Sequence, residues 1–143
     1  MTPKPICIEL GEWNALRALA TPIRFTVFVE EQKVPPEIEL DEWDARSLHA
    51  IARDAGAVAV GTGRLLPDGH IGRMAVLASA RGLGVGTALL RSLMDAARQR
   101  GMHEVVLSAQ THAVPFYLRE GFAVSGEEYM DAGIPHVDMK RAL

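Results

Sequence analysis

Arg81-Gly82-Leu83-Gly84-Val85-Gly86-Thr87 stands between a β-compatible run, His70 to Leu77, and a helical stripe made by Leu83, Leu89, Leu90, Leu93, Met94 and Ala97 that ends near Gly101. Three glycines let the backbone turn sharply and approach a ligand without Cβ atoms in the way. The unpaired N–H groups of the helix's first turn, with the positive end of its dipole, favour a phosphate or pyrophosphate. Arg81 adds a cation where that anion would sit. A Walker A loop needs Lys and Ser/Thr directly after its last glycine, whereas Gly86 is followed by Thr87-Ala88. A dinucleotide fingerprint needs Gly or Ala where Thr87 stands. A ligand-free connector would carry three glycines at about 1 kcal/mol each wherever they are helical.

Working outward, Leu48 to Arg53, Ala57 to Leu66 and His70 to Leu77 alternate with turns at Asp54-Ala55-Gly56 and Pro67-Asp68-Gly69, which predicts an antiparallel meander. The periodicity predicts an opening strand over Ile6 to Leu10 and a helix over Glu12 to Leu19. Thr21-Pro22 reads as the start of a second helix, carrying Ile23, Val27 and Phe28 and ending near Lys33. Glu30 to Asp44 is a strongly acidic loop or broken helix. After the glycine-rich turn and its long helix come a buried strand, Glu104 to Ala109, a short helix, Ala113 to Glu120, closed by Gly121, and a last strand, Val137 to Arg141. The class is α+β, a mixed sheet with helices on its faces.

The 143 residues form one unit without repeats or linkers, so residues 1–143 read as a single domain. A net charge of -3 offers no attraction to nucleic acid or an anionic membrane surface. The absence of a long apolar run at the start or elsewhere leads to the expectation of a soluble, cytoplasmic protein. Cys7, the lone cysteine, sits in Ile6-Cys7-Ile8 and is expected to be buried. No Cys/His cluster has metal-ligand spacing, so no metal is expected.

Arg81-Gly82-Leu83-Gly84-Val85-Gly86 resembles the (Arg/Gln)-x-x-Gly-x-Gly/Ala signature of the GNAT N-acetyltransferase superfamily. Phe116-Tyr117-Leu118-Arg119-Glu120-Gly121-Phe122 is similar to that superfamily's Tyr-x-x-x-Gly-Phe segment. Val27 to Gln32, Glu39 to Asp44, His49, Gly61 to Leu65, Gly72 to Val76 and Gly133 to His136 look like the ElaA-type branch, so the resemblance covers the chain from about Arg24 onward.

The resemblance implies a mixed, mostly antiparallel central sheet flanked by helices, with splayed central strands holding acetyl-CoA. Met74, Ala75 and Val76 would meet the pantetheine arm through their backbones, and the N–H groups of Arg81, Gly82, Leu83, Gly84, Val85, Gly86 and Thr87 would hold the pyrophosphate. Only backbone is asked of Leu83 and Val85, so their side chains are expected in the core. Tyr117 matches the general acid that protonates the departing thiolate, and Val76 N–H matches the oxyanion donor. The strand His70 to Leu77 lacks the carboxylate that many members use as base. Glu31, Glu39, Asp41, His49, His112 and His136 are therefore the candidates for base or acceptor binding. Arg24, Arg64 and Arg73 are expected to pair with the acidic segment rather than bind an acceptor carboxylate. The negative charge of that segment suggests a cationic amine. Thr111 stands where many members have Asn, so no contact made there by an amide carries over. The function implied is direct acetyl transfer to a small-molecule or peptide amine, the alternative being a non-catalytic acyl-CoA-binding module. Small members often pair, so a homodimer is an expectation as well.

Overall fold

Two antiparallel sheets meet along one edge. The computed structural model describes residues 5–143. The first sheet is a meander of β1 (Cys7–Glu12), β2 (Leu48–Arg53), β3 (Ala59–Leu65) and β4 (Ile71–Val76), in that order. The second is built on a long last strand, β8 (Ile134–Ala142), which pairs with β5 (Glu104–Gln110), β6 (Ala123–Val124) and β7 (Tyr129–Asp131). The sheets join through a parallel bridge, His70 to Val106, beside a 3.1 Å hydrogen bond from Val106 N–H to the Gly69 carbonyl. Past that bridge β4 and β5 pair no further among the described residues and splay apart. This is the mixed, mostly antiparallel α+β architecture that the resemblance implies.

The helix α3 (Val85–Gln99) lies across the first sheet and buries Val85, Leu89, Leu90, Leu93, Met94 and Ala97. It approaches closely because β3 carries glycine where a side chain would collide. A Cβ on Gly61 would stand 2.9 Å from Val85, and one on Gly63 would stand 3.1 Å from Leu93. The one-turn α2 (Pro36–Glu39) lies within the acidic segment, and the short α4 (Val114–Arg119) follows β5. No helix among the described residues is long and apolar enough to cross a membrane.

Three expectations are corrected. Thr21-Pro22 does not start a helix. Leu16, Ala20, Ile23 and Val27 form one buried stripe, and α1 (Trp13–Arg24) runs through Pro22, which is exposed. Proline's fixed φ is helical, and the stripe's burial outweighs its missing N–H. Beyond Arg24 the helix widens into a π-type stretch, Phe25–Glu31, where Gln32 N–H reaches back five residues to the Val27 carbonyl at 3.2 Å. Residues 123–131, given no strand by their periodicity, form β6 and β7, which are too short to display one.

Cys7 is exposed, not buried. It lies on the edge strand β1, where Ile6 and Ile8 turn toward the core and the period of two sends Cys7 outward. Iodoacetamide should therefore alkylate one thiol per native chain. Mass spectrometry without denaturant checks this, and a thiol that reacts only after unfolding would contradict it.

Candidate active site

The parting of β4 and β5 opens a cleft of about 520 Å³. Its floor is the free edge of β4. Leu77 N–H bonds to the Val60 carbonyl of β3 at 2.9 Å, so the N–H and C=O of the preceding residue, Val76, point the other way, into the cleft. The direction is corroborated by Arg81, whose Nε donates to the Val76 carbonyl at 3.0 Å. Within β4 the pairing with β3 slips between Thr62 and Arg64, and Arg73 takes a positive φ of 49°, a bulge that bends the strand. Met74 and Ala75 also line the cleft.

At the end of β4 the chain passes through Gly82 and Gly84, with φ of 77° and 81°, before α3 begins at Val85. Left-handed φ at both positions is what glycine supplies. A Cβ at either would meet nothing within 4 Å, so the surface over the turn is open, and α3 presents its first N–H groups there. Leu83 departs from its expected place in the core. It is 67 % exposed, whereas Val85 is 2 % exposed, because Leu83 precedes the helix and lies between the two left-handed glycines. Gly86 and Thr87 occupy the first turn of α3. The Arg81 guanidinium also holds the Glu31 carboxylate at 2.9 Å, closing one side of the cleft.

Tyr117 enters the cleft from α4. Its ring is fixed edge-on by Phe116 and Phe122, with centroids 5.0 Å and 5.8 Å away. Burial pushes its phenol up to about 12, so it keeps its proton at any working pH. On the opposite wall, His136 of β8 sits across from Gln110 of β5 and stacks on Tyr129 at 6.1 Å. Its Nδ1 lies 2.7 Å from the Ile134 carbonyl, which can only accept, so in the neutral ring Nδ1 carries the hydrogen and Nε2 the lone pair. No partner for Nε2 occurs among the described residues. His112 lines the same cleft from the turn before α4 and is exposed.

Glu39, Asp41 and His49 do not line it. Glu39 and Asp44 hold the Arg24 guanidinium at 3.0 Å and 2.6 Å, Asp41 and Asp44 hold Arg64 at 2.7 Å and 2.9 Å, and Arg73 reaches Asp41 at 3.3 Å. Three arginines thus face three carboxylates, and the acidic segment turns these charges inward instead of toward the cleft. Burial raises the Glu39 carboxyl above its usual range despite Arg24 and Arg73. For Asp41, burial is outweighed by hydrogen bonding and charge from Arg64 and by the charge of Arg73, and its carboxyl falls below the usual range. His49, 1 % exposed, packs at a tilt against Trp13 and donates from Nε2 to the Asp44 carbonyl at 2.8 Å. These three candidates are bound to partners, away from the cleft.

The cleft also holds groups that sequence reasoning missed. Gln32 and Gln110 pair across it at 2.8 Å, and Ser108, which also lines it, is hydrogen bonded to Tyr129, itself bonded to Asp138. Their signal is absent from the sequence because they come from four separate elements. Among the described residues there is no cluster of metal-ligating side chains.

Comparison with known proteins adds to this geometry. A family model described as an acetyltransferase (GNAT) domain matches residues 20–143. The chain is 44 % identical over 123 residues to YjcF of Bacillus subtilis (strain 168), described as an uncharacterized N-acetyltransferase, covering 83 % of this chain and 87 % of that protein. A crystal structure of an acyl-CoA N-acyltransferase from Pseudomonas aeruginosa superposes with TM-score 0.83 at 33 % identity, over 96 % of this chain and 100 % of that one. Escherichia coli ElaA superposes with TM-score 0.83 at 27 % identity, over 96 % and 99 %.

Proposed function

This chain belongs to the GNAT acetyltransferase family, and on that premise we propose that it transfers an acetyl group from acetyl-CoA directly to a primary amine in a ternary complex. One observation supports this reading above the others. Tyr117 Oη and His136 Nε2 belong to residues lining the same cleft, whose floor offers the free N–H of Val76.

Bound acetyl-CoA supplies an activated acyl group, a thioester whose carbonyl accepts nucleophiles. The residues present fit it: a splayed strand edge for the pantetheine amides, and an open glycine turn at a helix N-terminus for the pyrophosphate. His136 Nε2 takes the proton that leaves the attacking amine, while the Ile134 carbonyl holds the ring in the tautomer that permits this. Val76 N–H donates to the carbonyl oxygen as negative charge gathers on it. Tyr117 gives its proton to the departing sulfur, and Gln32, Gln110 and the bulge at Arg73 shape the acceptor side. Since Glu39, Asp41 and Asp44 are matched by arginines, these three carboxylates are not the ones that would draw a cationic acceptor to the cleft.

The test is thiol release from acetyl-CoA across a panel of small amines, amino acids and peptides. Amine-dependent release supports the enzyme and names its acceptor class, whereas acetyl-CoA binding without release from any amine would favour a binding module. In the same assay His136→Gln should lower kcat/KM for the amine by about 100-fold with acetyl-CoA affinity unchanged. An unchanged rate would remove His136 from the mechanism.

A further inference from the structure

Arg73 stands at the bulge of β4, before Val76 in the strand and so about 10 Å further from the glycine turn. With a pyrophosphate at the turn and an acyl carbonyl at Val76, this is the acceptor's end of the cleft. Arg64 of β3 and Gly72 of β4, partners in register, line it there beside Arg73. A Cβ on Gly72 would meet nothing within 4 Å, so the space next to the two arginines is open. Glu39, Asp41 and Asp44, which pair with these arginines, do not line the cleft. The buried ion cluster therefore shows the cleft its cations and not its anions.

Neither guanidinium is fully used by the acidic segment. Arg64, 6 % exposed, spends Nη1 and Nη2 on Asp41 and Asp44 at 2.7 to 3.0 Å. Its Nε is buried and has no hydrogen-bond partner among the described residues. A buried donor left without a partner is costly, and such groups are ordinarily met by protein, water or a ligand. Arg73 is held loosely. Its Nη2 lies 3.3 Å from Asp41, and its Nε lies 3.3 Å from the Glu39 carbonyl and 3.6 Å from that residue's carboxylate. Charge-assisted N–H···O contacts close to about 2.7–2.9 Å, and Arg24 in the same cluster reaches Asp44 at 2.6 Å. Arg73 Nη1 has no hydrogen-bond partner among the described residues. Burial draws the Arg73 guanidinium below its ordinary value, and the charges of Arg64 and Arg24 add to this against Glu39 and Asp41. What the site lacks at Arg73 is negative charge.

We propose that Arg73 and Arg64 bind a carboxylate carried by the amine acceptor, so that the substrate is an amino acid or a related carboxylate-bearing amine and not a simple amine. The inference rests on the acetyl-transfer reading, whose acceptor it names. A carboxylate fits better than a phosphate dianion, because three arginines and three carboxylates already balance within the cluster and one added charge is the smaller imbalance.

The test measures thiol release from acetyl-CoA for α-amino acids and for straight-chain ω-amino acids of increasing length, each beside its carboxamide. At the length that fits, the acid should exceed its amide in kcat/KM by about tenfold to 100-fold. Arg73→Gln should bring that ratio toward one, chiefly through KM for the acid, with a melting curve confirming the fold. Arg73→Lys, which keeps the charge but not the fork, should retain part of it. Because the ratio is compared between proteins, any difference in basicity between the two amines cancels. Isothermal titration of the CoA-loaded protein with the N-acetyl acids and N-acetyl amides reads the same preference without turnover. Turnover with a ratio that Arg73→Gln leaves where it was would overturn the carboxylate site and leave acetyl transfer standing. Preferential binding of N-acetyl acids with no turnover of any amine would uphold the site and overturn the transfer reading. Neither preference nor turnover would overturn both.

Discussion

Tyr117→Phe is expected to lower kcat for amine-dependent thiol release by about 100-fold to 1,000-fold, with acetyl-CoA affinity held to within about twofold of wild type. The substitution removes one oxygen and keeps the ring that packs edge-on against Phe116 and Phe122, so the loss reports the proton donor alone. Because burial places the phenol at about 12, it stays protonated through the neutral range. The fold-loss should therefore be the same at every pH between about 6 and 9, a range well below that value. Steady-state rates at several pH values, with direct titration of acetyl-CoA, check both parts. A rate that survives the substitution would exclude Tyr117 as the acid, and a parallel loss of acetyl-CoA affinity would mean that the phenol binds instead of donating.

The other large effect is on stability. Arg24→Met should destabilise the fold by about 3–5 kcal/mol, lowering Tm by roughly 10 °C or more for a chain of this size. The reason is what remains behind. Arg24 is 1 % exposed and holds Glu39 and Asp44 together, and without it two buried carboxylates keep only the Arg64 and Arg73 guanidiniums and, at Asp44, the Asp41 N–H. In wild type the Asp44 carboxyl lies below its usual range: burial would raise it, but the Arg24 hydrogen bonds, the Asp41 N–H and the charges of Arg24 and Arg64 prevail. Its contribution is present above the unfolded pKa and is lost as pH falls through the folded one. In the variant burial raises both carboxyls, so the folded state is penalised as pH rises. The stability gap between the two proteins should accordingly narrow on acidification. Adding Glu39→Gln to Arg24→Met should recover part of the loss. Denaturant melts at pH 7 and near pH 5 measure all three proteins, and a gap independent of pH would show that lost packing, not stranded charge, dominates.

Particular residues show which parts of this protein could be read along the chain. Gly82 and Gly84 announce left-handed φ by their identity, and the order of strand, glycine turn and long helix follows from neighbours within a few positions. The pattern from Leu89 to Ala97 carries its own burial, since a period of 3.6 shows which face meets the sheet. The meander shows because its turns are made of Asp, Gly and Pro. Where two local signals conflicted, at Thr21-Pro22, the stronger one became visible only in three dimensions: the stripe from Leu16 to Val27 is buried as a unit, and its packing outweighs one absent hydrogen bond. Cys7 departs from its expected burial for a related reason. An apolar neighbourhood says that a strand has a buried side but does not identify that side, and a shift of one residue reverses every side chain.

The sequence by itself determined the motif that places this chain in its family, the glycine turn, the long helix and the list of titratable side chains from which a site could be drawn. Tertiary structure decided which of them act together. It divided six candidates into Glu39, Asp41 and His49, bound to partners outside the cleft, and Glu31, His112 and His136, brought to it. It also set the His136 tautomer through Ile134 and aimed the Val76 N–H through the splay of β4 from β5. Conformational demands such as positive φ or helical burial are met within a few residues and so leave a local trace. The pairing of Arg24 with Asp44, or of Gln32 with Gln110, depends on how whole elements pack, and the residues' positions in the chain carry no trace of it.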